Sequence, residues 1–324
     1  MKPERWNAIP RVVLGVVVFS AATAAAQSPA AQVRPAAPPT PPAARPAASP
    51  ATAPATSNER PDQSPVIAFP GQYAPKPSTE AYSVFSKSCA RRPTAAEQLA
   101  CANFVLADWP RLSRYAEANA ALTPPKPGER RVVFFGDSIT DNWSKAGYGG
   151  FFPGKPYVNR GIGGQTTAQM LVRFRADVVA LRPKVLVILA GTNDVSGNTG
   201  IATPESIQNN LASMADIARA NRIRVVLASL LPVTDEVRGP DGAPIVRTKD
   251  RPPEVLVTLN RWIAQYARRN RHVFLDYHAA TADEQGRLRA EFTYDGLHPN
   301  AAGYAVMAKL AEKAIAQALG RGRS

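Results

Sequence analysis

Val132-Val133-Phe134-Phe135-Gly136-Asp137-Ser138-Ile139-Thr140 is the stretch on which the reading of the fold turns. Its first four residues are large, apolar and β-branched or aromatic, with no polar alternation. That is the pattern of a parallel strand buried on both faces. The run stops at a glycine, and Asp137 and Ser138 follow it as the first polar groups beyond the strand.

Outward from this run the pattern repeats. Short apolar runs recur at 185–189, 225–230 and 273–275, with a shorter one at 157–159. Helical periodicity fills the intervals at about 167–181, 204–220 and 253–269, and a last helix is predicted over 300–318. Thr203 before Pro204-Glu205 reads as a helix start, a capping residue followed by proline at the first helical position. Alternating strand and helix over this length predicts a parallel α/β sheet covered on both faces. Ligands in such sheets sit beyond the carboxyl ends of the strands. Ser138 follows the first strand, Gly163 and Gly164 the second, and Asn193 and Asp194 the third. Asp295 and His298 precede the last helix, so all of these are expected at one edge.

These residues suit nucleophilic acyl chemistry. A serine hydroxyl needs a base to take its proton, and a histidine serves best when a third group fixes its ring. Asp295-Gly296-Leu297-His298-Pro299 supplies both, because the spacing lets one turn bring the carboxylate beside the imidazole. Of the other histidines, His272 stands among Arg268, Arg269 and Arg271 and reads as a surface residue, and His278 ends the last strand. Oxyanion donors are available from the backbone N–H of Ser138, from a backbone N–H in Gly161-Ile162-Gly163-Gly164 and from the side chain of Asn193.

The four segments resemble the four blocks of the SGNH (GDSL) hydrolase superfamily, in the family's order, over roughly 131–318. They are Gly136-Asp137-Ser138, the glycine run after Asn159, Gly191-Thr192-Asn193-Asp194 and Asp295-Gly296-Leu297-His298-Pro299. The run 159–167 is especially similar to the platelet-activating-factor acetylhydrolase-like branch, which with the lysophospholipase L1 branch acts on acyl esters. The resemblance implies a flavodoxin-like three-layer α/β/α sandwich with a parallel five-stranded sheet. It also implies roles: Ser138 as nucleophile, Ser138, Gly164 and Asn193 as oxyanion donors, His298 as base and Asp295 as its orienting carboxylate. The resemblance implies Gly164 rather than Gly163, because in the family the donor is the last glycine of this loop, directly before a polar residue, here Gln165. Asp194 is expected to tie down its own turn. The implied function is a serine esterase acting on short-chain or acetyl esters of a carbohydrate or a lipid-like alcohol. The alternatives are an exported glycan O-acyltransferase on the same fold and a non-catalytic glycan-binding module.

Domain organisation is read from composition. Lys2, Arg5 and Arg11 precede an apolar run closed by Ala24-Ala25-Ala26, so 1–26 reads as an export signal and the protein as secreted or periplasmic. Residues 27–65 are dominated by Ala, Pro, Ser and Thr and read as a disordered tether. Residues 66–128 form a helical extension, in which Leu106, Trp109, Leu112, Tyr115 and Ala116 recur at helical spacing and are expected to pack on the core. The catalytic domain is assigned to 129–324.

The formal charge is +14, with 39 Lys and Arg against 25 Asp and Glu. The arginines fall on predicted helix faces (Arg173, Arg175, Arg219, Arg222, Arg268, Arg269, Arg271) without interleaved aromatics, which favours a solvated basic surface over a nucleic-acid interface. Cys89 and Cys101 are expected to pair in an oxidising compartment. No cofactor or metal is called for, and no transmembrane segment remains once the signal is removed. Oligomeric state is not readable. The long segments 142–156 and 232–253 border the expected site, and Trp143, Tyr148, Phe151 and Phe152 read either as pocket lining or as packing.

Overall fold

Five parallel strands form the centre of the molecule, in the order β2-β1-β3-β4-β5. They are β1 (Val132–Gly136), β2 (Tyr157–Gly161), β3 (Val185–Leu189), β4 (Arg224–Ala228) and β5 (Val273–Leu275). The computed structural model describes Cys89 and residues 93–320, apart from 146, 149 and 201. The expected export signal and tether lie outside the described residues, as does the extension up to 92 except Cys89. Among the described residues no helix is long and apolar enough to cross a membrane.

β1 is hydrogen-bonded on both sides, Gly136 standing opposite Gly161 of β2 and Leu189 of β3. Its side chains alternate between two covered faces, as a parallel strand requires. Phe135 meets Phe174 of α4 (Thr167–Asp177), which packs beside α6 (Pro204–Ala220) and through it α7 (Pro253–Arg269). Phe134 faces the other layer, where Trp143 follows the short α3 (Ser138–Asn142) and meets Tyr304 of the last helix. Gly136 must lack a side chain, since a Cβ there would lie 2.2 Å from Thr140 Oγ1 and 2.8 Å from the carbonyl of Leu189. The close approach of α3 to the strand end depends on this.

The expected helices over 204–220 and 253–269 are found, and Thr203 Oγ1 accepts from Ser206 N at 3.1 Å as its cap. Others differ. The helix expected over 167–181 ends at Asp177, and a 3-10 turn at Val179–Leu181 leads to Arg182 in the left-handed region. In the N-terminal extension α1 (Ala95–Ala107) is followed by a turn and a 3-10 segment (Leu112–Tyr115) before α2 (Ala116–Ala121). Asp108 holds the turn after α1 by accepting from Leu112 N at 2.7 Å and Ser113 N at 2.9 Å.

Of the residues expected to pack, Trp109 and Tyr115 are half-buried, whereas Leu106, Leu112 and Ala116 are exposed, and Phe104 is 70% exposed. Polar contacts help to fasten the extension. Gln169 and Gln165 donate to the carbonyls of Trp109 and Pro110, both at 2.7 Å, and Tyr115 donates to the carbonyl of Gly161. Cys89 and Cys101 are disulfide-bonded.

The remaining helices are α5 (Thr192–Val195), α8 (Tyr277–Thr281) and α9 (Ala301–Gly320). Arg173 corrects the expected solvated basic surface. Its side chain is 0% exposed, stacked 4.2 Å over Phe135 and paired with Asp177 at 2.9 Å. It donates to the carbonyls of Gly136 at 3.1 Å and Arg160 at 2.9 Å, tying the carboxyl ends of β1 and β2 together. His272 is likewise not a surface residue; it is buried with its ring 5.9 Å from that of Tyr266.

Candidate active site

Beyond the carboxyl edge of the sheet three side chains stand in sequence. His298 Nε2 is 2.9 Å from Ser138 Oγ, and His298 Nδ1 is 2.8 Å from Asp295 Oδ2. Ser138 opens α3 directly after β1. Asp137 caps that helix through Oδ1, which accepts from Ile139 N at 3.0 Å. The neighbouring Oδ2 is buried and has no hydrogen-bond partner among the described residues. Burial therefore pushes the Asp137 carboxyl up to about 6, against weaker opposing effects from the Ile139 N–H and the charges of His298 and Arg251.

His298 is held by the turn that the sequence predicts. Asp295 Oδ1 accepts from the backbone N–H of Leu297 at 3.1 Å and of His298 at 2.8 Å, which folds the ring toward the same carboxylate. Arg247, from the segment between β4 and α7, adds a donor to Asp295 Oδ2 at 2.7 Å and another to its carbonyl at 2.9 Å. Burial raises the Asp295 carboxyl, but the bonds from His298 and the charge of Arg247 outweigh it and hold the group at about 2. Tyr294 stacks on His298, with ring centroids 5.8 Å apart and planes 12° apart, and is 45% exposed.

The glycine loop after β2 lies against the serine: a Cβ on Gly163 would be 3.7 Å from Ser138 Cβ. The Gly163 N–H is spent on Asp141 Oδ2 at 3.1 Å, whereas the Gly164 N–H and the Ser138 N–H have no acceptor among the described residues. Gly164 adopts φ 79°, a backbone that residues with a Cβ rarely take, and Asn198 pins its carbonyl at 3.0 Å. Asn193 donates one amide hydrogen to the Gln165 carbonyl at 3.0 Å and keeps the second. Its Oδ1 accepts from Arg251 at 3.3 Å, and Arg251 also reaches Thr192 Oγ1 and Ser196 Oγ, each at 3.1 Å.

Asp194 does more than brace its own turn. It accepts from the backbone N–H of Thr167 at 3.1 and 3.0 Å and from that residue's hydroxyl, fastening α5 to the start of α4. Burial pushes its carboxyl up to about 7, in spite of those bonds. Trp143 and Phe152 are buried against Phe134, and Tyr148 and Phe151 pack around them half-buried, so these aromatics serve packing. Arg247, Arg251, Asp141 and Tyr294 escaped the sequence reading. The long segment 232–253 was legible as a neighbour of the site, but not which of its arginines turn inward. His278 stays apart, in α8, with its backbone N–H on Ser229 Oγ at 2.8 Å.

A hydroxyl, an imidazole and a carboxylate in line, with backbone donors beside the hydroxyl, can generate an alkoxide and receive a developing oxyanion. A GDSL-like lipase from Bacteroides thetaiotaomicron has a solved structure 40% identical to this chain, covering 64% of it and 98% of that chain, with TM-score 0.58. An uncharacterized lipoprotein of Bacillus subtilis, YqeF, is 30% identical over 128 residues, 33% of this chain, which spans about half (51%) of that protein's length. An acetylxylan esterase of Geobacillus stearothermophilus is 25% identical over 205 residues, 55% of this chain and 90% of that protein. The profile of the GDSL-like Lipase/Acylhydrolase family matches residues 134–306, from β1 into the last helix. That match takes in Ser138, Gly164, Asn193, Asp295 and His298 alike, and the chain accordingly belongs to this family of hydrolytic enzymes.

Proposed function

We propose that the protein is an exported serine esterase that hydrolyses short acyl esters, acetyl esters foremost. The observation that carries this reading is the 2.9 Å approach of His298 Nε2 to Ser138 Oγ, with Asp295 2.8 Å behind the ring. Ser138 Oγ bonds to the ester carbonyl carbon as its proton passes to His298 Nε2. The tetrahedral oxyanion is received by the N–H groups of Ser138 and Gly164 and the second amide hydrogen of Asn193. Collapse breaks the bond to the alcohol, which takes the proton from His298. Water then repeats the sequence on the acyl-enzyme, releasing the acid and restoring Ser138.

Support for a small acyl group on a carbohydrate comes from the acetylxylan esterase relative and from Tyr294, whose exposed ring beside His298 offers a flat face for a sugar. Support for export comes from the N-terminal signal and from the lipoprotein relative. The test is hydrolysis of p-nitrophenyl acetate by Ser138→Ala. A loss of about a thousandfold or more in kcat is expected, and wild-type turnover by the folded variant would overturn the assignment. A chain-length series of p-nitrophenyl esters, run beside acetylated polysaccharides, separates carbohydrate from lipid-like esters.

A further inference from the structure

The opposite edge of the sheet, where helices feed strands, carries a feature that ester chemistry does not use. α6 and α7 run out in matching sequences, Ala218-Arg219-Ala220-Asn221-Arg222 and Ala267-Arg268-Arg269-Asn270-Arg271, and each leads at once into its strand. Arg222 and Arg271 both take left-handed backbone, φ 60° and 59°, and Arg182 at the entry to β3 does the same at φ 51°. Glycine or asparagine ends a helix this way with less strain, so three arginines at successive helix-to-strand turns are chosen against backbone preference.

Arg219, Arg222, Arg224, Arg269 and Arg271 line one cleft of about 540 Å³ at the amino ends of β4 and β5. That volume is in the range of small-ligand sites. Ile223 and Val273 contribute apolar surface, and among the described residues no carboxylate side chain lines the cleft. Arg219 has a surface ion pair with Asp216 at 3.1 Å. Arg224 is steadied by donating to the carbonyls of Ala318 and Leu319 at 3.0 and 2.6 Å. Attraction to the helix dipole accounts for Arg219, Arg268 and Arg269, which stand in last turns. It does not account for Arg222, which stands beyond the end of α6.

We propose that this cleft binds a compact ligand bearing two or more phosphate groups, either free or as the head group of a lipid. Guanidinium forks match phosphate oxygens in pairs, and five arginines lining one small cleft favour more than one such group.

The experiment is calorimetric titration of the full chain with inorganic pyrophosphate, against sodium chloride at matched ionic strength. The wild type binds pyrophosphate, and the double variant Arg222→Gly/Arg271→Gly binds at least about tenfold more weakly. Its melting temperature is not lowered, because glycine relaxes both turns, and its p-nitrophenyl acetate turnover is unchanged. Arg269→Gln, which leaves the turns alone, also weakens binding. Heat no greater than the chloride control, or wild-type affinity in the variants, overturns the proposal. Sedimentation with phosphatidylcholine vesicles containing cardiolipin separates the sources. Pyrophosphate binding without vesicle binding assigns a free ligand, and binding of both, each lost in the double variant, assigns a head group. Vesicle binding alone overturns the cleft as the recognition element.

Discussion

Arg251 donates to Asn193 Oδ1 at 3.3 Å while the Asn193 amide nitrogen donates to the Gln165 carbonyl at 3.0 Å, so the side-chain amide has one orientation and its remaining hydrogen one direction. A donor aimed in advance at a developing charge is what an oxyanion site requires.

Arg251→Met should therefore resemble Asn193→Ala. Each is expected to lower kcat on p-nitrophenyl acetate by about 10²-fold with little change in KM, the effect of losing one oxyanion donor. The double variant should be scarcely worse than either single one, since the arginine acts through the asparagine. Additive losses would show that Arg251 acts elsewhere.

Arg247 bonds the same Asp295 oxygen that accepts from His298. Arg247→Ala should lower kcat by roughly tenfold or less, because two backbone N–H groups and the imidazole still hold the carboxylate. Its second effect is on acid stability. Asp295 is held at about 2, well below its ordinary value, so its stabilisation is complete above about pH 4 and is lost as pH falls toward 2. Without Arg247 the folded carboxyl moves back toward its ordinary value, so the acid-dependent loss is smaller and ends at higher pH, which acid unfolding followed by circular dichroism would register.

Asp137 and Asp194 work with the opposite sign. Burial raises them to about 6 and about 7, so across roughly pH 4 to 7 the folded chain binds more protons than the unfolded one. Stability should fall as pH rises through that window. Melting temperature is expected to be several degrees higher near pH 5 than at pH 8, with a flatter alkaline limb in Asp194→Asn. A melting temperature that climbs from pH 5 to 8 would contradict both assignments.

Arg173 lies at zero exposure between Asp177, Gln165 and two strand-end carbonyls. Arg173→Met should cost about 3–5 kcal/mol in urea unfolding, since it strands Asp177 without its charge partner. Arg173→Lys should recover little, because an ammonium lacks the fork that serves four acceptors at once.

What was legible in the sequence was local. The strand at 185–189 and the helices at 204–220 and 253–269 lie where periodicity puts them, because their apolar faces meet the sheet. The parallel sheet was legible in the alternation, and its five-stranded flavodoxin-like form in the family resemblance. The extension was harder, since the spacing of Leu106 and Leu112 is the same whether a face is covered or open, and only the fold shows that glutamines rather than leucines fasten it. Arg173 read as one of the solvated arginines of a helix face, a placement that carries no information about depth. Ser138, Gly164 and Asn193 could be read as neighbours because each follows a strand closely, and Asp295 and His298 as a pair because their spacing closes one turn. Arg247 and Arg251 were missed because a long excursion gives no hint of which side chains turn back.

Those two arginines share one excursion, between β4 and α7, whose neck is closed by Asp235 holding the backbone of Arg247 and Thr248. One end reaches the carboxylate behind His298 and the other the amide beside the glycine loop. A single cut in that peptide by a trypsin-like protease would loosen the supports of Asp295 and Asn193 together while leaving the sheet assembled. Such a nicked chain is expected to keep its fold and to turn over p-nitrophenyl acetate more slowly.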